Sequence, residues 1–137
     1  MALRDLAGVH VLVVEDTDDS REVLKVVLEY CGALVTTAES AEKAKRILET
    51  IRPHVLVTDI GMPDVDGYEL LRRIRALGPP ARGHLPAIAL TAFARSEDRT
   101  RALRAGFLAH VAKPVEPSEL LATVASVVGR AGDQLAD

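Results

Sequence analysis

Five polar residues stand at the carboxyl ends of apolar runs: Glu15 and Asp16 at the first, Asp59 at the third, Thr91 at the fourth and Lys113 at the fifth. Carboxylates gathered from two loops repel one another unless a cation lies between them. Oxygen donors of this kind suit Mg²⁺, which takes one or two carboxylates, keeps waters and binds a phosphate oxygen. A lysine opposite supplies a point charge for a phosphate, and a hydroxyl supplies a hydrogen bond. The set reads as a phosphoryl-transfer site, where positioning and charge neutralisation do most of the catalysis. Asp64 and Asp66 lie in the same stretch. Asp66 reads as a helix cap and Asp64 as a solvent-exposed loop residue, and neither is assigned to the metal.

The elements that must position these residues follow from the hydrophobic pattern. Apolar runs occur at Val9–Val14, Ala33–Thr37, Val55–Thr58, Pro86–Thr91 and Phe107–Ala112. Several are near-continuous in Val, Ile and Leu, as expected of parallel strands covered on both faces. Each is followed by a helical pattern. The first helix shows Val23, Val26, Val27 and Tyr30 at helical spacing and stops at Gly32. The second opens at Ser40 and carries Ala44, Ile47, Leu48 and Ile51 before Pro53. The third starts at Asp66, with Glu69 at capping-box spacing, and runs to Gly78. The fourth runs from near Ser96 to Gly106, and the fifth from Pro117 to Gly129. Strand and helix alternate five times, which predicts an α/β fold, a doubly wound five-stranded parallel sheet with five helices. In such sheets ligands bind beyond the carboxyl ends of the strands, where the five polar residues fall.

Length and composition narrow the choice. The 137 residues suit one domain, over 9–129, with a lead-in at 1–8 and a polar flexible tail at 130–137. Aromatics are only 3%, so Val, Leu, Ile and Ala must build the core, and a base-stacking surface is disfavoured. A formal charge of −3 argues against direct nucleic-acid binding. Cys31 is the only cysteine, which rules out an intramolecular disulfide and reads as a small buried residue. The first residues carry no signal-peptide h-region, and the longest apolar stretch, Leu85 to Ala94, is too short to cross a bilayer. These features lead to the expectation of a cytoplasmic protein without membrane insertion.

At the polar cluster the chain resembles the receiver domain of bacterial two-component response regulators, of the chemotaxis-regulator-like kind, over about Val9 to Val128. The matching segments are VLVVEDTDDS (11–20), VLVTDIGMPDVDGYEL (55–70), PAIALTA (86–92) and GFLAHVAKP (106–114). The resemblance implies a flavodoxin-like receiver fold with Asp59 as phosphoacceptor. It implies Mg²⁺, with Mn²⁺ as a substitute, held by Glu15, Asp16, Asp59 and the backbone carbonyl of Gly61. Thr91 and Lys113 match the groups that contact the phosphoryl oxygens, and Lys113–Pro114 should be a cis peptide. The implied partners are a histidine kinase or histidine phosphotransfer protein upstream and an unidentified protein downstream. The implied output is a change in the face made by the fourth helix, fifth strand and fifth helix. The chain would then be no enzyme in the usual sense, since it catalyses only its own phosphorylation and dephosphorylation. The wording fits a stand-alone receiver and one from a hybrid kinase alike.

Departures from the pattern concern the response rather than the chemistry. His110 occupies the switch position where the family usually carries Tyr or Phe, and an imidazole there brings the option of pH sensitivity between about pH 5 and 8. Gly61 and Phe93 flank the site and should tune the lifetime of the phosphorylated form. Arg95, Arg99, Arg101 and Arg104 read as a solvated helix face with docking as a second use. His10, His54 and His84 show no metal-ligand spacing. An aspartate-nucleophile hydrolase is disfavoured because Gly61 stands where its second acid–base aspartate belongs and no length remains for a lid. A phosphorylation-independent docking module is disfavoured because all five site residues are present, and a Rossmann-type nucleotide binder because no G-x-G-x-x-G follows the first strand.

Overall fold

The computed structural model describes residues 6–62, 64–77, 84–92 and 96–136, with 130–136 as backbone. The elements run β1 (His10–Val14), α1 (Asp18–Tyr30), β2 (Leu34–Ala38), α2 (Ala41–Ile47), β3 (Val55–Asp59), α3 (Gly67–Ala76), β4 (Ala87–Thr91), α4 (Ser96–Ala105), β5 (Ala109–Ala112) and α5 (Pro117–Ala136). The five strands form one parallel sheet in the order β2-β1-β3-β4-β5. After β2 the chain crosses back over β1 to lay down β3, so strand order reverses between β1 and β3. A crevice opens there at the carboxyl ends of these two strands.

The sheet is buried on both faces, which explains its unbroken apolar runs. Val11, Val13, Val55, Val57, Ile88 and Leu90 point to one side, where Leu24 and Leu28 of α1 and Leu120, Val124 and Val127 of α5 cover them. Leu12, Val14, Leu56, Ala87 and Ala89 point to the other, against Ala44 of α2, Leu70, Leu71 and Ile74 of α3 and Ala102 of α4. Caps fix the helix starts. Ser40 Oγ accepts from the Lys43 N–H at 3.1 Å, and Asp66 Oδ1 from the Glu69 N–H at 2.9 Å. Gly32 and Gly106 adopt φ of 98° and 108° just past the ends of α1 and α4, a conformation costly for residues with a Cβ.

Several details depart from the expectations, and one is that α2 ends at Ile47, which leaves Leu48 as its C-cap and Ile51 beyond it. Val23, Val26 and Tyr30 are 58%, 54% and 69% exposed, and α1 buries Leu24 and Leu28 instead. The two stripes are adjacent on the helix and meet at half-buried Val27, so periodicity alone does not choose between them. β5 begins at Ala109 rather than Phe107. The Phe107 N–H closes α4 on the Ala102 carbonyl, and Leu108 donates to Ala87 before strand pairing starts. β2 runs one residue later than its apolar run. The last helix passes Gly129 and continues to Ala136, because one glycine inside a helix costs only about 1 kcal/mol relative to Ala. The expected stop at Gly78 lies outside the described residues.

Candidate functional site

Asp59 is the last residue of β3 and only 7% exposed. Its Oδ1 accepts the Gly61 N–H at 3.0 Å, and its Oδ2 lies 3.1 Å from Lys113 Nζ. Glu15 follows β1 and is fully buried, with both carboxylate oxygens 3.2 Å from the same Lys113 Nζ. Asp16 is exposed, and Glu15, Asp16 and Asp59 each offer a carboxylate oxygen within 4.8 Å of the others. Thr91 ends β4 and is buried, one residue beyond Leu90, the β4 partner of Asp59. Lys113 follows β5, and its N–H binds the Thr91 carbonyl at 2.8 Å, so the ends of β4 and β5 are tied beside the carboxylates. The Lys113–Pro114 peptide is cis, as the resemblance implied.

The loop after β3 is held close to the strand it leaves. The Gly67 N–H returns to the Ile60 carbonyl at 3.1 Å. A Cβ on Gly67 would stand 2.7 Å from the Asp59 carbonyl oxygen and 2.9 Å from Ile60 Cα, so only glycine allows the approach. A Cβ on Gly61 would meet Asp59 Oδ1 at 3.8 Å, an ordinary contact that leaves room for a side chain there. The service Gly61 visibly performs is its N–H on Asp59, which its expected role as a carbonyl donor did not include.

Charge is divided unevenly among these groups. Burial and the adjacent Asp59 push the Glu15 carboxyl up to about 7, against the opposing pull of Lys113. Burial acts on Asp59 in the same direction, but the Gly61 N–H and the Lys113 ammonium outweigh it and hold Asp59 below its ordinary value. Lys113 is held above its ordinary value by the two carboxylates despite its own burial. One ammonium serves two buried carboxyl groups, and the competition between them raises Glu15 while Asp59 is held low. An ionised, buried, pre-positioned carboxylate is the state a nucleophile requires.

The other candidates disperse. His110 lies half-buried on β5 opposite Ala89, and strand alternation turns it toward the α4 side of the sheet, away from Ala109 and Val111. Arg99 and Arg104 are exposed, whereas the Arg101 guanidinium stacks 4.2 Å above the Tyr68 ring. Phe93 and Arg95 lie outside the described residues. Cys31 is buried, and His84 is exposed. His10 and His54 meet at the opposite end of the sheet, where the His10 N–H donates to His54 Nδ1 at 2.8 Å. Sequence reasoning also passed over Arg21, which reaches back from α1 to the Glu15 carbonyl at 2.9 Å. Its spacing from Asp18 hints at an ion pair, but nothing local announces the contact with the preceding loop.

No helix among the described residues is long and apolar enough to cross a membrane. The chain matches the family model described as the response regulator receiver domain over residues 11–125. It is 48% identical over 122 residues to an uncharacterized 14.6 kDa protein of Leptolyngbya boryana, covering 89% of this chain and 92% of that one. It is 36% identical to the transcriptional regulatory protein PhoP of Escherichia coli O6:H1, covering 88% of this chain but only 52% of PhoP. Among solved structures it superposes with a TM-score of 0.79 on the receiver domain of the sensor histidine kinase PA1611 from Pseudomonas aeruginosa PAO1. That domain is 34% identical, covers 90% of this chain and 99% of its own, and holds a magnesium ion in its active site cleft. With these matches laid over a parallel sheet that gathers Glu15, Asp16, Asp59, Thr91 and Lys113 at one end, the chain belongs to the response regulator receiver family of two-component signalling.

Proposed function

We propose that Asp59 accepts a phosphoryl group from a phosphohistidine of a histidine kinase or histidine phosphotransfer protein. The observation that carries this reading is the setting of the Asp59 carboxylate, held between the Gly61 N–H and the Lys113 ammonium beside two further carboxyl groups. Asp59 attacks phosphorus in line, the P–N bond breaks, and the histidine nitrogen leaves with the bonding pair and takes up a proton. Lys113 offsets the charge that builds on the phosphoryl oxygens, and the Thr91 hydroxyl supplies a hydrogen bond to them. Water later cleaves the acyl phosphate and restores the carboxylate.

Three converging carboxylates with one lysine among them form a donor set that fits a hard divalent cation. Glu15, Asp16 and Asp59, with the Gly61 carbonyl, would hold Mg²⁺, and Mn²⁺ takes the same oxygen donors. Bound there, the ion supplies positive charge to the phosphoryl oxygens. The phosphodonor docks over the adjoining cleft of about 540 Å³, whose apolar lining includes Val23, Leu24, Pro114 and Val115. Phosphorylation draws Thr91 inward and shifts the α4–β5–α5 face that carries His110, which a downstream protein reads. Turnover is confined to the protein's own carboxylate, so this is a cytoplasmic signalling module rather than an enzyme acting on outside substrates.

The test is intact mass after incubation with Mg²⁺ and a small acyl phosphate. One added phosphoryl group that disappears in Asp59→Asn is the expected result. Free phosphate released without a labelled protein, or label retained in Asp59→Asn, overturns it.

A further inference from the structure

The tripeptide Glu15-Asp16-Thr17 connects β1 to α1 and carries two of the three clustered carboxylates. Its first residue is fixed on one side, since the Glu15 N–H binds the Ala38 carbonyl of β2 at 3.0 Å. Its other anchors both come from one residue. Arg21 Nη1 donates to the Glu15 carbonyl at 2.9 Å, and the Arg21 backbone N–H donates to the Thr17 carbonyl at 2.9 Å. Asp16 therefore lies between a carbonyl held by the Arg21 side chain and one held by the first main-chain bond of α1. The guanidinium completes its contacts on the Asp18 carboxylate, and its side chain is only 18% exposed.

The placement of this arginine runs against local preference. A cation in the first turn of a helix opposes the helix dipole, and it stands here beside a site that needs a cation of its own. Thr17 caps α1 without a side-chain hydrogen bond, so the loop has few restraints to spare. The reach-back to Glu15 adds a contact beyond the i,i+3 ion pair with Asp18 that its helical position provides.

We infer that Arg21 is a positioning residue that sets the Glu15–Asp16 loop for divalent-cation binding. This rests on the metal-site reading above. The carbonyl contact fixes the peptide plane between Glu15 and Asp16, and with it the direction in which the Asp16 carboxylate leaves the chain. Groups that orient metal ligands in this way change affinity by about ten- to a hundredfold when removed. The Arg21 charge acts in the opposite sense, since a nearby cation weakens binding of Mg²⁺. The two effects therefore predict opposite signs.

Mg²⁺ titration by calorimetry on the wild type, Arg21→Gln, Arg21→Lys and Asp16→Asn separates them. The expected result is binding about tenfold weaker in Arg21→Gln. Arg21→Lys keeps the charge, loses the two-pronged contact and should fall between Gln and wild type. Tighter binding in Arg21→Gln with Arg21→Lys equal to wild type means that only charge matters, and it overturns the inference. Thermal midpoints in EDTA locate a temperature at which each variant is folded. A lowered midpoint with unchanged Mg²⁺ affinity assigns Arg21 a structural role alone, and also overturns it. Should Arg21→Gln not fold, Arg21→Lys carries the same comparison. Absence of Mg²⁺ binding in the wild type, or binding unaltered in Asp16→Asn, removes the metal site itself and the inference with it.

Discussion

At the carboxyl ends of β1, β3 and β5, the Glu15 and Asp59 carboxyl groups both lie within 3.2 Å of the Lys113 ammonium nitrogen, two carboxyl groups against one ammonium. At the amino ends of β1 and β3, two histidines meet without such excess. The His10 N–H donates to His54 Nδ1 at 2.8 Å, the His54 N–H donates to the His10 carbonyl at 2.8 Å, and His10 Nε2 lies 2.7 Å from Thr36 Oγ1. The same strands thus end in an unbalanced cluster on one side and a locally satisfied hydrogen-bond network on the other. The carboxyl end gathers carboxylates that could hold a metal ion, whereas the amino end closes on its own hydrogen bonds.

Lys113 is the residue whose loss should damage the carboxyl end most. Lys113→Met removes the ammonium that contacts Asp59, and the initial rate of mass gain with a small acyl phosphate should fall about a hundredfold. A rate within a few-fold of wild type would mean that Lys113 does not face the phosphoryl group.

Gly67→Ala attacks the same end through the backbone. The added methyl collides with the Asp59 carbonyl oxygen and Ile60 Cα, and urea denaturation should show about 3 kcal/mol lost. Asp66→Ala, one residue earlier, removes only the cap on the Glu69 N–H and should cost about 1 kcal/mol in the same assay. Equal losses from the two would show that the close approach at Gly67 is not the reason for glycine there.

The two ends should also respond to pH in opposite directions. Glu15 is raised from its ordinary 4.5 to about 7 in the fold, so its contribution is fully present below about pH 4.5 and is lost as pH rises toward 7. Burial, with His54 nearby, lowers His10 below its ordinary 6.5, so its contribution is present above about pH 6.5 and is lost as pH falls toward the folded value. Thermal midpoints in EDTA across this range should show both slopes. Glu15→Gln should flatten the loss on raising pH, and His10→Gln the smaller loss on lowering it. A Glu15→Gln profile that parallels wild type would refute the raised value of the Glu15 carboxyl.

Much of this molecule was legible without coordinates. Strands buried on both faces must be apolar at nearly every position, and Val11–Val14 and Val55–Val57 are. Helix ends announce themselves through Ser40, Asp66, Gly32 and Gly106, whose roles depend on local backbone geometry. The site was legible for a related reason. Parallel strands deliver their next residues to a common edge, so Glu15, Asp16, Asp59, Thr91 and Lys113 could be grouped from their places in the chain.

Tertiary structure decided what depends on which surfaces meet. Leu24 and Leu28 are buried and Val23 and Val26 exposed because of how α1 lies on the sheet, and both stripes are apolar enough to serve. Arg21 contacts Glu15 because the β1–α1 loop folds back, a relation that spacing along a helix does not encode. The raised Glu15 carboxyl is likewise a property of three groups brought together from residues 15, 59 and 113. The amino-acid sequence determined the elements and the residues at their ends, because those follow from local periodicity and backbone preference. Which helix face is buried, which side chain reaches the Glu15 carbonyl and how the buried carboxyl groups shift one another required distances between distant parts of the chain.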